Sequence, residues 1–507
     1  MLATVLSSAL HGIDGLPVEV EVDLAVGLPH FGVVGLPEGA VKEGKDRVRS
    51  AVRNAGYAFP KHKVIVNLAP ADLKKEGSAF DLPIAIGILA ASGQLPRSSL
   101  AAYAMLGELS LDGRVKSVRG ALPIAAAARA RGLRGLLLPS ANAAEAAVVQ
   151  GIEILPIDSL IDAVEFLRGD RPLAPTQVDL DAVFERARSP EVDFADVKGQ
   201  DGVKRALEVA AAGGHNAIMV GPPGSGKTML AQRLASILPA LSLDEAIEAT
   251  RIYSVRGLMR GRSLITTRPF RAPHHTISDA GLIGGGVIPR PGEVSLAHRG
   301  VLFLDELPEF RKSVLEVLRQ PLEERRITIA RVAGAVTFPA DIMLIAAMNP
   351  CPCGYLGDRQ RTCSCSSMQV QRYRSRVSGP LLDRIDIHVE VRAVTFQSLA
   401  DRSSGEPSQA LRERVDRARA RQLERFAGKL YCNAQMSSRD VRRHATPDAA
   451  AERLLEQAMQ SLGLSARAYT RVLKVARTIA DLDGSSGVGT AHVAEAVQYR
   501  SLDRNLQ

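Results

Sequence analysis

Apolar and polar positions follow one rhythm in the first third of the chain and another in its last fifth. Over 1–170, short apolar runs such as VEVEVDLAV (18–26) and HKVIVNLAP (62–70) predict strands. Helices are expected near 82–91 and over the Ala-rich 121–131. GLLLPSAN predicts a buried strand leaving into a loop, and IEILPI predicts a strand leading into a helix near 159–167. Residues 171–192 carry prolines, mixed charge and no sustained period, and predict a linker. From 193 to 395 the pattern has the strand–loop–helix rhythm of a nucleotide-binding domain. The remainder, 396–507, is helical by period, with an Arg-rich helix at 411–426, one near 448–462, LSARAYTRVLKVARTIADL, and a last from about 490. The expected fold class is α/β with an all-helical C-terminal part.

Composition narrows the choice of class. At 507 residues, 46% hydrophobic and 23% charged, the chain has enough apolar side chains for large cores, which excludes disorder as its main state. No apolar run reaches the roughly eighteen residues of a membrane-spanning helix. The N-terminal MLATVLSSALHGIDG has no basic stretch before its apolar residues and predicts a first strand, not a signal peptide. A net charge of +9 spread over this length permits a polyanionic partner without requiring one. The absence of Trp, with 4% aromatic residues, argues against base stacking as the main binding mode. Five cysteines, an odd number, do not suggest a disulfide scaffold, and a reducing cytoplasm is the expected setting.

The strongest chemical signal is IMVGPPGSGKT at 218–228, a G-x-x-x-x-G-K-[ST] loop between an apolar strand and a helix. Gly221, Pro222, Pro223, Gly224, Ser225 and Gly226 form the turn, and its non-proline backbone N–H groups would curl around the phosphates of ATP. Lys227 would reach the β- and γ-phosphates, and Thr228 would offer a hydroxyl to Mg²⁺. GVLFLDELPEF then delivers two carboxylates at a strand end: Asp305 for the Mg²⁺ shell and Glu306 to polarise the attacking water. A third apolar strand, DIMLIAAMNP, ends in Asn349, placed to orient that water. Together these predict an ATPase.

Four cysteines cluster in CPCGYLGDRQRTCSC. Cys351, Cys353, Cys363 and Cys365 suit tetrahedral Zn²⁺, while the C-x-C spacing also allows reduced thiols or a labile disulfide. Cys432 stands alone and is expected to be packing. His274 and His275 fit either phosphate contacts or plain structure.

On these motifs the whole chain resembles the YifB/ComM family of magnesium-chelatase-like AAA+ proteins. The resemblance implies a hexameric ring with ATP at subunit interfaces. DVKGQ at 196–200 resembles the segment preceding the phosphate loop, and Asn349 resembles sensor 1. LLDRIDIH at 381–388 resembles the arginine-finger segment and singles out Arg384. LSARAYTRVLKVAR resembles the sensor 2 helix, with Arg467 the best match and Arg471 the fallback. RITIARVAGAVTFPAD (326–341) is expected to be a β-hairpin with Arg331 near its tip. The 251–281 insertion, holding six arginines (251, 256, 260, 262, 268 and 271), would face the ring channel and grip DNA or contact neighbouring subunits.

Residues 62–123 resemble a Lon protease domain, which would make 1–170 a Lon-protease-like unit. Ser78 falls at the serine place, but Leu122 stands where the lysine is needed and Lys116 is six positions too early, so no proteolysis is expected. The implied function is an ATP-driven motor promoting branch migration of DNA during recombination or natural transformation. Single-stranded and branched DNA, other copies of the chain and recombination proteins are the implied partners, and no membrane is. The alternative is a chelatase-like or protein-remodelling ATPase without a DNA substrate.

Overall fold

Alternating VEVEV over Asp14–Ala25 turns Val18, Val20 and Val22 into the core and leaves Glu19 and Glu21 outside, where Asn67 donates a 2.7 Å hydrogen bond to Glu21. This strand belongs to a seven-stranded sheet ordered His30–Val34, Lys63–Ala69, Asp14–Ala25, Leu2–His11, Tyr103–Met105, Gly135–Pro139, Glu153–Ile157. The two N-terminal strands form an antiparallel hairpin, and Leu2–His11 continues through parallel neighbours to Glu153–Ile157. Helix Asp81–Ala91, buried along its whole length, packs on the hairpin strands.

The computed structural model describes residues 1–75, 77–186, 192–286, 288–331, 334–358, 361–393 and 405–502. The expected 395/396 boundary and the hairpin-tip residues 332 and 333 fall outside these. Two compact units emerge: Met1–Arg186 with Leu243–Thr266, and Ala187–Ser242 with Thr267–Gln507. Leu243–Thr266 therefore belongs to the N-terminal unit, although sequence spacing put it inside the ATPase core. Its helix Leu243–Val255 buries Ala246, Ala249 and Ile252, Ser254 hydrogen-bonds the buried Glu145, and the Ser254 carbonyl accepts from Gly120 N at 3.1 Å. The span 171–192 also contains a short helix, Leu180–Arg186.

In the second unit a parallel sheet runs in the order Phe270–Arg271, Val301–Leu304, Met343–Met348, Ala217–Val220, Ile387–Glu390. The central strands are buried on both faces, which explains their unbroken apolar sequences. Helices Ser408–Phe426 and Ala466–Leu482 pack on Asp201–Gly213, and all share one apolar core with the sheet. Strands Arg326–Arg331 and Gly334–Pro339 pair antiparallel, as the pattern predicts. Among the described residues no helix is long and apolar enough to cross a membrane.

Candidate functional site

The strand Ala217–Val220 sits between Met343–Met348 and Ile387–Glu390, so the loop that follows emerges at the C-terminal edge of the sheet, where parallel sheets bind ligands. Gly224 and Gly226 take left-handed φ of +75° and +88°, the curl that points backbone amides inward. Lys227 opens the next helix, and its Nζ donates to the carbonyls of Gly221 and Pro222 at 2.8 Å and to Asn349 Oδ1 at 3.2 Å. Burial pulls the Lys227 pKa below its ordinary value, with Asp305 and Glu306 opposing that shift. The Ser225 hydroxyl is buried without a partner among the described residues.

Asp305 and Glu306 follow the strand Val301–Leu304 at the same edge. Thr228 Oγ1 donates to Asp305 Oδ2 at 2.6 Å, and Asp305 Oδ1 accepts from Glu306 N at 2.9 Å. Glu306 has φ +52°, a left-handed setting that a residue with a side chain adopts only under strain. A hydroxyl and a carboxylate in contact beside a buried ammonium fit Mg²⁺ bound with a nucleotide phosphate. His275 joins this group: its Nδ1 lies 3.6 Å from Glu306 Oε2, with its ring on His274 and Phe310. Sequence alone left His275 undecided, because no spacing links a loop histidine to a carboxylate thirty-one positions later.

A second element that the sequence only hinted at is a cavity of about 460 Å³ lined by Gln200, Val203, His388, Glu390 and Tyr499. It adjoins the phosphate loop, because Val391 N donates to Val220 O at 2.8 Å. Gln200, at φ +64°, donates to Arg392 O at 2.5 Å and closes one wall.

Arg384 lies elsewhere. It precedes Ile387–Glu390 and so occupies the N-terminal edge of the sheet, opposite the phosphate loop. It is 5% exposed; its guanidinium pairs with Glu323 and donates to Pro380 O, while Nε has no partner among the described residues. The local ion pair thus forms with Glu323, not with Asp383 or Asp386. Asp386 instead accepts from Arg471 on one oxygen and sits 3.1 Å from His215 Nδ1 on the other. Burial would raise the Asp386 pKa, but Arg471 and His215 overrule it and hold the carboxyl well below its usual range. Arg467, in the first turn of Ala466–Leu482, is exposed and makes no ion pair among the described residues.

The four cysteines converge, with all four sulfurs within 4.8 Å of one another. Cys351 Sγ is 3.4 Å from Cys353 and 3.7 Å from Cys363, and Cys353 is 3.6 Å from Cys363. Tetrahedral zinc with Zn–S near 2.3 Å sets sulfurs about 3.8 Å apart, so the quartet fits that ion. Backbone amides of Tyr355 and Ser364 pull the Cys353 thiol down to about 6. At Cys363 and Cys365 one backbone amide each is outweighed by burial and the neighbouring thiols, which push Cys363 up to about 12 and Cys365 up as well. It is therefore the convergence of the sulfurs that points to a metal. Cys432 is buried, as packing requires.

Three of the six insertion arginines are engaged within their own unit. Arg251 pairs with Asp14 at 3.5 Å, Arg271 grips Glu293 through two bonds of 2.6 and 2.7 Å, and Arg268 caps the carbonyls of Pro239, Ala240 and Arg299. Arg260, Arg262 and the hairpin's Arg331 are exposed. In the N-terminal unit Ser78 hydrogen-bonds Glu108, and Leu122 is fully buried.

Comparison with known proteins agrees with this geometry. Residues 193–399 match the family model described as magnesium chelatase, subunit ChlI; residues 20–142 match subunit ChlI of Mg-chelatase, and 405–500 its C-terminal model. The chain is 47% identical over its whole length to the competence protein ComM of Haemophilus influenzae, covering 99% of that protein. It is 45% identical to YifB of Escherichia coli, again over its whole length and 98% of that protein. The chain belongs to the YifB/ComM family. The magnesium-chelatase 67 kDa subunit of Chlorobaculum parvum is 27% identical over 161 residues, 31% of this chain and 23% of that protein. Membership in this chelatase-like AAA+ group agrees with a site built for ATP and Mg²⁺.

Proposed function

We propose that this YifB/ComM-family protein is an ATP-driven hexameric motor that moves branched DNA during recombination or natural transformation. The observation that carries the ring is the separation of Arg384 from its own phosphate loop by the full length of the sheet strands. An arginine held at the opposite edge, with one buried donor unmatched, serves a nucleotide bound by the adjacent copy better than its own.

In this reading the backbone amides of Gly224, Ser225 and Gly226, with Lys227, hold the phosphates, and the 460 Å³ cavity beside Gln200 takes the base. Thr228 and Asp305 would hold Mg²⁺, which when bound screens charge on the phosphates. Glu306 accepts the proton of the attacking water, Asn349 orients that water, and His275 fixes the Glu306 carboxylate between turnovers. Arg384 of one copy stabilises the charge developing on its neighbour's γ-phosphate, with Arg467 assisting. Residues 193–395 act as the ATPase core and 396–507 as its helical lid, with 1–170 a non-proteolytic Lon-like unit in which Leu122 stands at the place of the lysine that Ser78 would need. The four cysteines hold structural Zn²⁺.

DNA as the substrate is supported by the full-length likeness to a protein named for competence and by exposed Arg260, Arg262 and Arg331. Arg251, Arg268 and Arg271 are engaged within their own units and add nothing to that support. A chelatase-like role without DNA is the second reading, favoured by the three chelatase-subunit models that the chain matches. Turnover with and without branched DNA separates the two: stimulation supports the motor, and indifference supports the second reading.

A further inference from the structure

The four-cysteine loop touches the phosphate loop, a contact that the catalytic reading does not use. Asn349, which accepts from Lys227, lies two residues before Cys351. Gly354 makes the turn inside the quartet: its N–H donates to Cys351 O at 3.0 Å and its φ is +87°. A Cβ at Gly354 would stand 2.5 Å from Pro223 Cδ and 3.1 Å from Pro223 Cγ. The backbone of the cysteine loop therefore lies directly against the proline ring in the middle of the phosphate loop. One segment meets that loop at two points, Asn349 on its lysine and Gly354 on its proline.

The cysteine loop has little apolar material of its own to hold this position. Of the four thiols only Cys351 is buried, and Cys353, Cys363 and Cys365 are half-buried. In so short a loop, ligation of one ion supplies most of the folding free energy. Cys353 N and Cys365 N each lie 3.4 Å from a cysteine sulfur, the backbone donors that orient thiolates around a metal.

We propose that metal ligation by Cys351, Cys353, Cys363 and Cys365 buttresses the nucleotide site. With the metal bound, Gly354 is pressed against Pro223 and the phosphate loop keeps its curl before nucleotide arrives. Without it the loop loses one wall and must be ordered by the nucleotide, which costs affinity. This inference rests on the reading of the quartet as a zinc site.

The test uses the full-length chain, with bound zinc released and titrated colorimetrically and the affinity of a fluorescent ADP measured in parallel. The expected results are about one zinc per chain and, after a zinc-selective chelator, nucleotide affinity weakened by about tenfold and restored by added zinc. Gly354→Ala should keep its zinc yet lose affinity to a similar degree. Adding Pro223→Ala removes the two ring carbons that the new methyl meets, so the double variant should bind more tightly than Gly354→Ala alone. A chain that neither carries nor takes up zinc overturns the metal reading. Zinc present, but affinity unchanged by its removal and by Gly354→Ala, overturns the buttress and leaves the metal reading standing. A double variant no better than Gly354→Ala assigns the loss to backbone strain at φ +87° and overturns the Pro223 contact as its cause.

Discussion

Thr228 Oγ1 and Asp305 Oδ2 lie 2.6 Å apart, a bond between the first turn of a helix and the residue after a strand seventy-seven positions later in sequence. That bond joins the phosphate loop to the carboxylate strand at one edge of a parallel sheet. It also brings together the two oxygens proposed to hold Mg²⁺. Lys227 completes the arrangement through Asn349 from a third strand.

Lys227→Ala should abolish nucleotide binding or turnover without unfolding the chain, because its contacts are to loop carbonyls and one side chain. Nucleotide affinity and circular dichroism check this. Loss of helical signal together with binding would contradict it.

Arg384→Ala should retain nucleotide affinity and lose turnover by about 10³-fold, the size expected of an arginine acting on the γ-phosphate. Because the residue acts across an interface, mixing this variant with Lys227→Ala chains should recover part of the activity. Unchanged turnover in Arg384→Ala would remove it from the reaction.

Arg467 and Arg471 separate by their surroundings. Arg467 is exposed, so Arg467→Ala should lower ATP turnover and leave the melting temperature alone. Arg471 is tied to buried Asp386, so Arg471→Ala should lower the melting temperature by several degrees, a cost of roughly 1–3 kcal/mol for leaving a buried carboxylate without its arginine. Thermal unfolding beside steady-state hydrolysis distinguishes them, and the opposite pattern would exchange their roles.

Asp386 also predicts a pH dependence. Its folded pKa is depressed, so its contribution is fully present above the ordinary aspartate value near about 4 and is lost as pH falls below it. Wild type should therefore unfold at a higher temperature than Asp386→Asn at neutral pH, with the gap narrowing in acid. A gap that stays constant from pH 7 to pH 3 would show that the carboxylate's charge is not what matters.

Much of this site was legible because its chemistry is local in sequence. The phosphate loop, the Asp305–Glu306 pair and Asn349 each sit at the end of an apolar strand, and a parallel sheet must bring such ends together. The quartet was legible as four cysteines within fifteen residues, its C-x-C spacing left other readings open, and the structure added that its sulfurs converge. What escaped is what depends on long-range packing. Six arginines in thirty-one residues look like one basic surface, yet Arg271 finds Glu293 and Arg251 finds Asp14 once the segment is divided between two units. His275 near Glu306 and the cavity beside Gln200 arise from loops whose course no periodicity encodes. The pairing of Arg384 with Glu323, in place of its near neighbours, arises the same way.

The central claim is that ATP hydrolysis by this chain drives movement on branched DNA. The direct measurement is the ATPase rate with and without a four-way DNA junction, followed beside fluorescent strand displacement on the same substrate. Stimulated hydrolysis with ATP-dependent strand movement, both lost in Arg384→Ala, is the predicted result. Hydrolysis indifferent to the junction, with no strand moved, would contradict the account and turn the search to a protein client.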